Sequence, residues 1–393
     1  MAISLPYCIC IRVILWLQVG SGLFQSWVVM RILRQIFAVC VVVLASCVPG
    51  MAIPQLLIDM QSGEVLFEED AGVAWHPASL TKLMTAYVAF EAIASGQVSL
   101  DTPVITSANA LKAPPSKMGL PVGTAVTLED ALYLLIVKSA NDIAIAVAET
   151  VGGDESKFVA LMNAHARNLG LSNTFFVNPN GLHEPDQVTS ARDLAILSVV
   201  IRNRYPQYDG LFDTRTVEFG NTKLASFNIL LTKFRGTTGM KTGYVCASGL
   251  NIVATAERRG RKLMAVVLGA SSARERGELT ALLLERGFDN RYGGTGKSVT
   301  RLANLASAPI DMRDRICGKE AKAYVDGREA TFPFGLEGQP TYLGDVVEPK
   351  RVRIQTLGKL VNVDLPRKRP AYDFVPKVAT IALPRPRPLF LRP

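Results

Sequence analysis

Three short segments of this 393-residue chain carry residue types capable of acyl-transfer chemistry. Ser79-Leu80-Thr81-Lys82 lies where Leu80, Leu83, Met84 and Tyr87 recur at i, i+3, i+4, i+7, and Pro77 stands where a helix would open. Residues three apart on a helix share a face, so the Ser79 hydroxyl and the Lys82 amine fall within hydrogen-bond reach. A serine hydroxyl is a poor nucleophile until a base takes its proton. A lysine amine serves as that base only when its pKa is depressed; burial, a second cation and the positive end of a helix all push it down. Ser139-Ala140-Asn141 sits at a corner between two apolar helical patterns, where polar side chains can point into a cleft. Lys241-Thr242-Gly243 falls on a strand pattern whose glycine would let a substrate backbone approach closely. Taken singly, each has an ordinary alternative: a solvated helix face, a helix stop with its N-cap, and an edge strand.

The elements that would position these residues can be read from periodicity. Residues 55–60 and 64–68 about the turn Gln61-Ser62-Gly63 predict a β-hairpin. Residues 97–126 are rich in Pro, Ser, Thr and Gly, after which Thr127 and the acids Glu129 and Asp130 start a helix to about Lys138. A second helix is predicted over 142–151, stopped by Gly152-Gly153, with others at 155–169 and 190–203. Strands return at about 239–245, 249–257 and 262–270, the last two joined through Arg258-Arg259-Gly260-Arg261, and a helix with Leu279, Leu282 and Leu283 closes before Gly287. Strands at both ends of 53–290 thus bracket a helical insert, an α/β (α+β) arrangement with a largely antiparallel sheet flanked by helices.

Order and spacing join the three segments. Ser-x-x-Lys on a helix, Ser-x-Asn 60 residues on, and Lys-Thr-Gly on a strand about 100 residues after that resemble the motif set of the penicillin-binding proteins and serine β-lactamases. Over about residues 53–290 the chain resembles the D-alanyl-D-alanine carboxypeptidases of the low-molecular-weight penicillin-binding protein type. The resemblance is carried by His76-Pro77-Ala78-Ser79-Leu80-Thr81-Lys82-Leu83-Met84-Thr85, Lys138-Ser139-Ala140-Asn141-Asp142, Phe176-Val177-Asn178-Pro179-Asn180-Gly181-Leu182, Thr189-Ser190-Ala191-Arg192-Asp193-Leu194 and Gly239-Met240-Lys241-Thr242-Gly243-Tyr244. It implies a penicillin-binding-protein fold in which Ser79 is acylated and Lys82 is its base. Ser139 and Asn141 would shuttle protons and hold the substrate amide, Lys241 and Thr242 would bind a terminal carboxylate, and the backbone N–H groups of Ser79 and Tyr244 would form an oxyanion hole. The arginine that members place after the last strand aligns with Arg276, with Arg274 close by. Val245-Cys246 departs from the usual polar Thr-x, which removes a side-chain contact at 245 but not the backbone donor at 244.

The implied reaction trims the terminal D-Ala from peptidoglycan stem peptides, with β-lactams as covalent inhibitors. Endopeptidase action on D-Ala cross-links is the nearest variant. A β-lactamase is disfavoured because no Glu-x-x-Leu-Asn string lies between 142 and 240, and a non-enzymatic wall-binding protein because Ser79, Lys82, Ser139 and Lys241 are all present. Three His residues with no His-x-x-x-His or Cys-x-x-Cys pair in the body are too few for a usual zinc site, so no metal and no cofactor are expected. His183-Glu184 reads as a solvated loop cap, and the basic 258–262 stretch as a solvated hairpin turn with no nucleic-acid role.

Charge and composition set the outer limits. Nearly half the residues are apolar, too many for a disordered chain. Residues 291–393 hold 19 basic against 10 acidic residues, so basic behaviour belongs to the last quarter. Met30-Arg31-Ile32-Leu33-Arg34, the apolar run 36–45 and Gly50-Met51-Ala52 have the layout of a signal peptide whose natural start is Met30, while Leu44-Ala45-Ser46-Cys47 resembles a lipobox that would leave Cys47 lipidated. Either reading sends the body out of the cytoplasm, to a periplasmic or other extracytoplasmic place. With Cys8, Cys10, Cys40 and Cys47 in this leader, only Cys246 and Cys317 remain, leaving one bridge as an open alternative. Residues 291–365 predict a small β-rich appendage. Residues 366–393, with seven prolines, predict a basic unstructured tail that would touch anionic membrane or wall polymer.

Overall fold

The computed structural model describes residues 53–360. The leader with its two cleavage readings and the 366–393 tail lie outside the described residues. The first strands, β1 (Gln55–Asp59) and β2 (Val65–Glu69), form the expected hairpin. The chain then enters the helical insert, which carries the short strands β3 (Pro103–Ile105), β4 (Thr124–Thr127), β5 (Thr214–Phe219) and β6 (Thr222–Ala225), and returns as β7 (Thr237–Val245), β8 (Gly249–Arg258) and β9 (Arg261–Ala270). These five strands make one antiparallel sheet in the order β2-β1-β9-β8-β7, with β1 paired to β9 and β7 at an edge.

Both faces of β9 are buried, so its residues 263–268 read as an unbroken apolar run rather than an alternation. One face, carrying Leu57, Ile252, Ala254, Leu263, Ala265 and Val267, packs against Leu279, Leu282 and Leu283 of the helix Ala273–Phe288. Each leucine fully removed from water contributes roughly 1.5–3 kcal/mol. The helix Ala191–Arg204 packs against the sheet as well. Behind the cleft edge stands the helix Lys82–Ala94, buried from Lys82 through Phe90; a helix apolar nearly all round belongs in an interior. The helices Asn141–Gly152 and Glu155–Asn168 pack against it.

Helix starts follow local capping chemistry. Thr127, Asp154, Ser190 and Ser272 each accept a hydrogen bond from the backbone N–H three residues on. The helix begun at Thr127 runs regularly only to Tyr133 and widens into a π-turn over Leu134–Lys138, leaving Ser139 in the left-handed region at φ 62°.

The segment after residue 290 departs from the expected β-rich appendage. It is a strap bound along the body formed by residues 53–290. Arg192 donates from its side chain to the carbonyls of Thr300 and Leu302, Asn304 bonds Ser190 and Asp193, and Met312, fully buried, donates its N–H to the Ala247 carbonyl. A helix, Ala321–Thr331, follows. The strands Lys350–Ile354 and Gly358–Lys359 then add to two small sheets of the body, the first parallel to Thr214–Phe219 and the second antiparallel to Thr124–Thr127. The apolar spacing around Val352 therefore completes open strand edges instead of building a separate core. Cys246 and Cys317 are joined by a disulfide.

The basic hairpin turn also differs from its solvated reading. Arg258 lies over the rings of Phe234 and Phe288 and pairs with Glu285, and Arg261 bonds Asp59 and the Gly287 carbonyl; Arg259 is exposed.

Candidate active site

Ser79 lies in a single 3₁₀ turn, Ala78–Thr81, directly ahead of the long buried helix, and Lys82 is that helix's first residue. The turn is held from three sides. Asn251 donates to the carbonyls of His76 and Pro77, and the His76 ring bonds the Gln187 carbonyl. On the third side the strand β7 lies so close that a Cβ on Gly243 would come 2.9 Å from the Pro77 carbonyl oxygen and 3.0 Å from the Ser79 nitrogen. Ala78 itself takes φ 49°, an uncommon conformation for a non-glycine residue and one held by its surroundings. Gly181, at φ 86°, packs against the Ala78 carbonyl with no room for a side chain.

Lys82 is completely buried. Its Nζ lies 3.0 Å from Ser79 Oγ, 2.8 Å from Asn141 Oδ1 and 2.5 Å from the Asn180 carbonyl oxygen. Two of these partners can only accept hydrogen bonds. A neutral amine satisfies both with its two N–H bonds and turns its lone pair to the third, the serine hydroxyl. Desolvation, reinforced by the charge on Lys241, lowers the Lys82 pKa well below the usual lysine range, while Asp142 opposes the fall. The electrostatics favour this neutral form, and the geometry accommodates it because the Ser79 hydroxyl can donate as well as accept.

Asn141 is oriented at both ends of its amide, Oδ1 to Lys82 and Nδ2 to the Pro114 carbonyl. Asp142, fully buried, accepts from the N–H groups of Met118 and Gly119 and so ties the loop at 114–119 to this corner. Ser139 is buried, and its hydroxyl makes no hydrogen bond within the protein.

Lys241 and Thr242 are buried on β7. Lys241 donates to the Thr242 carbonyl, and its pKa is lowered to about 7 by burial and by the neighbouring charge of Arg276. Arg276 is itself buried, donates to the Phe227 carbonyl, and is lowered to about 10 by desolvation. Among the described residues neither cation is in an ion pair. Two buried cations without a carboxylate make a site for an anion. Arg274, its sequence neighbour, instead donates to the carbonyls of Phe332 and Phe334 in the strap. Tyr244, half exposed, ends this edge beside the disulfide.

Of the sequence-derived positions, Ser79, Lys82 and Asn141 are joined by hydrogen bonds, Lys241 acts on Lys82 and Arg276 on Lys241 through their charges, Thr242 and Tyr244 share the strand of Lys241, and buried Ser139 is two residues from Asn141. Three contributors were missed. The Asn180 carbonyl has no residue-type signature, though the turn-forming Asn178-Pro179-Asn180-Gly181 marks its loop. Gln187, 1% exposed, accepts from the N–H groups of Val177 and Asn178 and donates to Asn178, fixing that loop. His183 is not a solvated cap: its ring stands edge-on to His76 at 4.7 Å.

The family profile described as D-alanyl-D-alanine carboxypeptidase matches residues 50–272, more than half of the chain. The D-alanyl-D-alanine carboxypeptidase DacD of Salmonella typhimurium is 36% identical over 242 residues, covering 60% of this chain and 62% of its own length. The chain thus spans under two thirds of that relative. Among solved structures, penicillin-binding protein 5 of Haemophilus influenzae superimposes with a TM-score of 0.58 at 33% identity over 60% of this chain and 70% of that one. Penicillin-binding protein D2 of Listeria monocytogenes in its cefotaxime-bound form gives 0.55 at 30% identity, over 61% and 99%.

Proposed function

We propose, from the premise that this chain belongs to the D-alanyl-D-alanine carboxypeptidase family of serine peptidases, that it removes the terminal D-Ala from peptidoglycan stem peptides. The observation that carries the reading is the buried Lys82 amine, bonded to two obligate acceptors and to the Ser79 hydroxyl. Ser79 Oγ attacks the carbonyl carbon of the penultimate D-Ala while Lys82 takes its proton. The N–H groups of Ser79 and Tyr244 hold the oxyanion. As the C–N bond breaks, the leaving amine receives the proton from the Lys82 ammonium, relayed by the Ser139 hydroxyl, and an ester remains on Ser79. Water then attacks the ester with Lys82 again as base, which frees the shortened stem and restores the serine.

Lys241, Thr242 and Arg276 hold the terminal carboxylate, the anion that the two unneutralised cations call for. A β-lactam enters by the same chemistry: its carboxylate sits on Lys241 and its ring opens onto Ser79. The related Listeria protein is known with cefotaxime bound. On the leader reading, the reaction takes place outside the cytoplasm.

Intact-mass analysis after exposure to a penicillin, together with release of D-Ala from a soluble peptide ending in D-Ala-D-Ala, tests this reading. The expected result is a single stoichiometric adduct and D-Ala release; a protein with neither would refute it.

A further inference from the structure

The strand β7 has a direction, and the proposed reaction gives the substrate one too. With the terminal carboxylate at Lys241 and Thr242 and the reacting carbonyl at Ser79 and the Tyr244 N–H, the rest of the stem must leave past Tyr244 toward Cys246, at about 3.3 Å per residue for an extended chain. Residues 312–317 of the strap lie there, more than 60 residues further along the chain. Met312 is fully buried and donates to the Ala247 carbonyl at 2.9 Å, and the Cys246–Cys317 disulfide closes the other end of the segment. The Tyr244 hydroxyl lies 3.2 Å from Cys317 Sγ. The exposed Arg313 and Asp311 are both near enough for their charges to act, in opposite senses, on His183, whose ring packs against His76, three residues before Ser79.

We infer that residues 312–317, stapled by the Cys246–Cys317 disulfide, form the wall that reads the stem residues preceding D-Ala-D-Ala. This rests on the peptidase reading above and adds its specificity determinant. The binding energy of those remote residues orients the scissile bond only while the wall is fixed. Cys317 is exposed and Cys246 partly so, which leaves the bridge open to a dithiol. Reduction yields two cysteine thiols while the dithiol is oxidised to its own disulfide, and the segment then loses its covalent anchor.

The test compares two peptides, an N-blocked D-Ala-D-Ala dipeptide and a soluble pentapeptide stem, with penicillin acylation followed in parallel. The proteins are the native chain, the same chain reduced with dithiothreitol, the Cys246→Ser/Cys317→Ser double variant, and Arg313→Ala, whose exposed side chain makes a folding failure an unsuitable explanation. The expected result is a fall of about tenfold in the pentapeptide-to-dipeptide ratio of kcat/KM after reduction and in the double variant, with a smaller fall in Arg313→Ala. Acylation and dipeptide hydrolysis should stay within about twofold. A ratio that does not change, whether both activities hold or both fall together, would overturn the wall. A native protein that acylates with nothing and cleaves neither peptide would overturn the peptidase reading itself, and this inference with it, before any cysteine is altered.

Discussion

Lys82 donates to two obligate acceptors, and taking the Ser79 proton requires a lone pair that only its neutral form has. Acylation therefore needs deprotonated Lys82. Because burial lowers its pKa, the acylation rate should rise with pH and level off well below the ordinary lysine value of about 10.5. A rate still climbing through pH 10 would contradict that. Ser79→Ala should give no penicillin adduct by mass spectrometry. Lys82→Arg should cost about 100- to 10,000-fold in acylation, since a guanidinium holds its proton. For Lys241 the sign runs the other way. With a free-enzyme pKa of about 7, it is mostly neutral at pH 8, and a bound carboxylate favours its charged form. Binding of a D-Ala-D-Ala peptide to Ser79→Ala at pH 8 should thus take up nearly one proton, and at pH 5.5 almost none. Calorimetry in buffers of different ionisation enthalpy reads this directly; buffer-independent heats at pH 8 would remove Lys241 from the carboxylate site.

At the scale of elements, the position of Ser79 is set by a contact between two backbones. The turn at 78–81 and the strand β7 meet at Gly243, where any side chain would strike Pro77 and Ser79. Gly243→Ala should push the turn from the strand. Since a displacement of about 1 Å can cost 100-fold, acylation should slow by about 10- to 100-fold with only a modest fall in melting temperature. Acylation at the native rate would show that the two backbones are free to part.

At the scale of the whole molecule, the strap braces the helix that carries Arg276. Glu275, fully buried, takes the Arg328 guanidinium at 2.5 Å, and Glu278 accepts from Thr341 and the Tyr342 N–H. Arg328→Ala leaves the buried Glu275 carboxylate with only its Ser271 partners. Arg328 is partly solvated, which discounts the loss to about 2 kcal/mol, a drop of several degrees in thermal melting. A chain ended at residue 290 should lose far more, because Met312, Ile354 and both added strands go with it. Thermal unfolding as cooperative and as late as that of the full chain would show that the strap is dispensable.

The sequence by itself determined the elements and the chemistry-bearing residues, because both are local properties. The i, i+3, i+4 spacing around Leu80, the apolar run in β9 and the Ser-x-x-Lys interval each depend on neighbours within a turn or a strand. Only the tertiary structure set Arg276 beside Lys241 and Arg274 against the strap, two residues apart on one helix but on different faces of it. It alone showed that Lys82 is held by a carbonyl 98 residues away, since a backbone oxygen is the same atom in every residue type. The strap was illegible for a related reason: its strands have no core of their own and gain their partners from edges left open more than 130 residues earlier, so their pattern has no period to read.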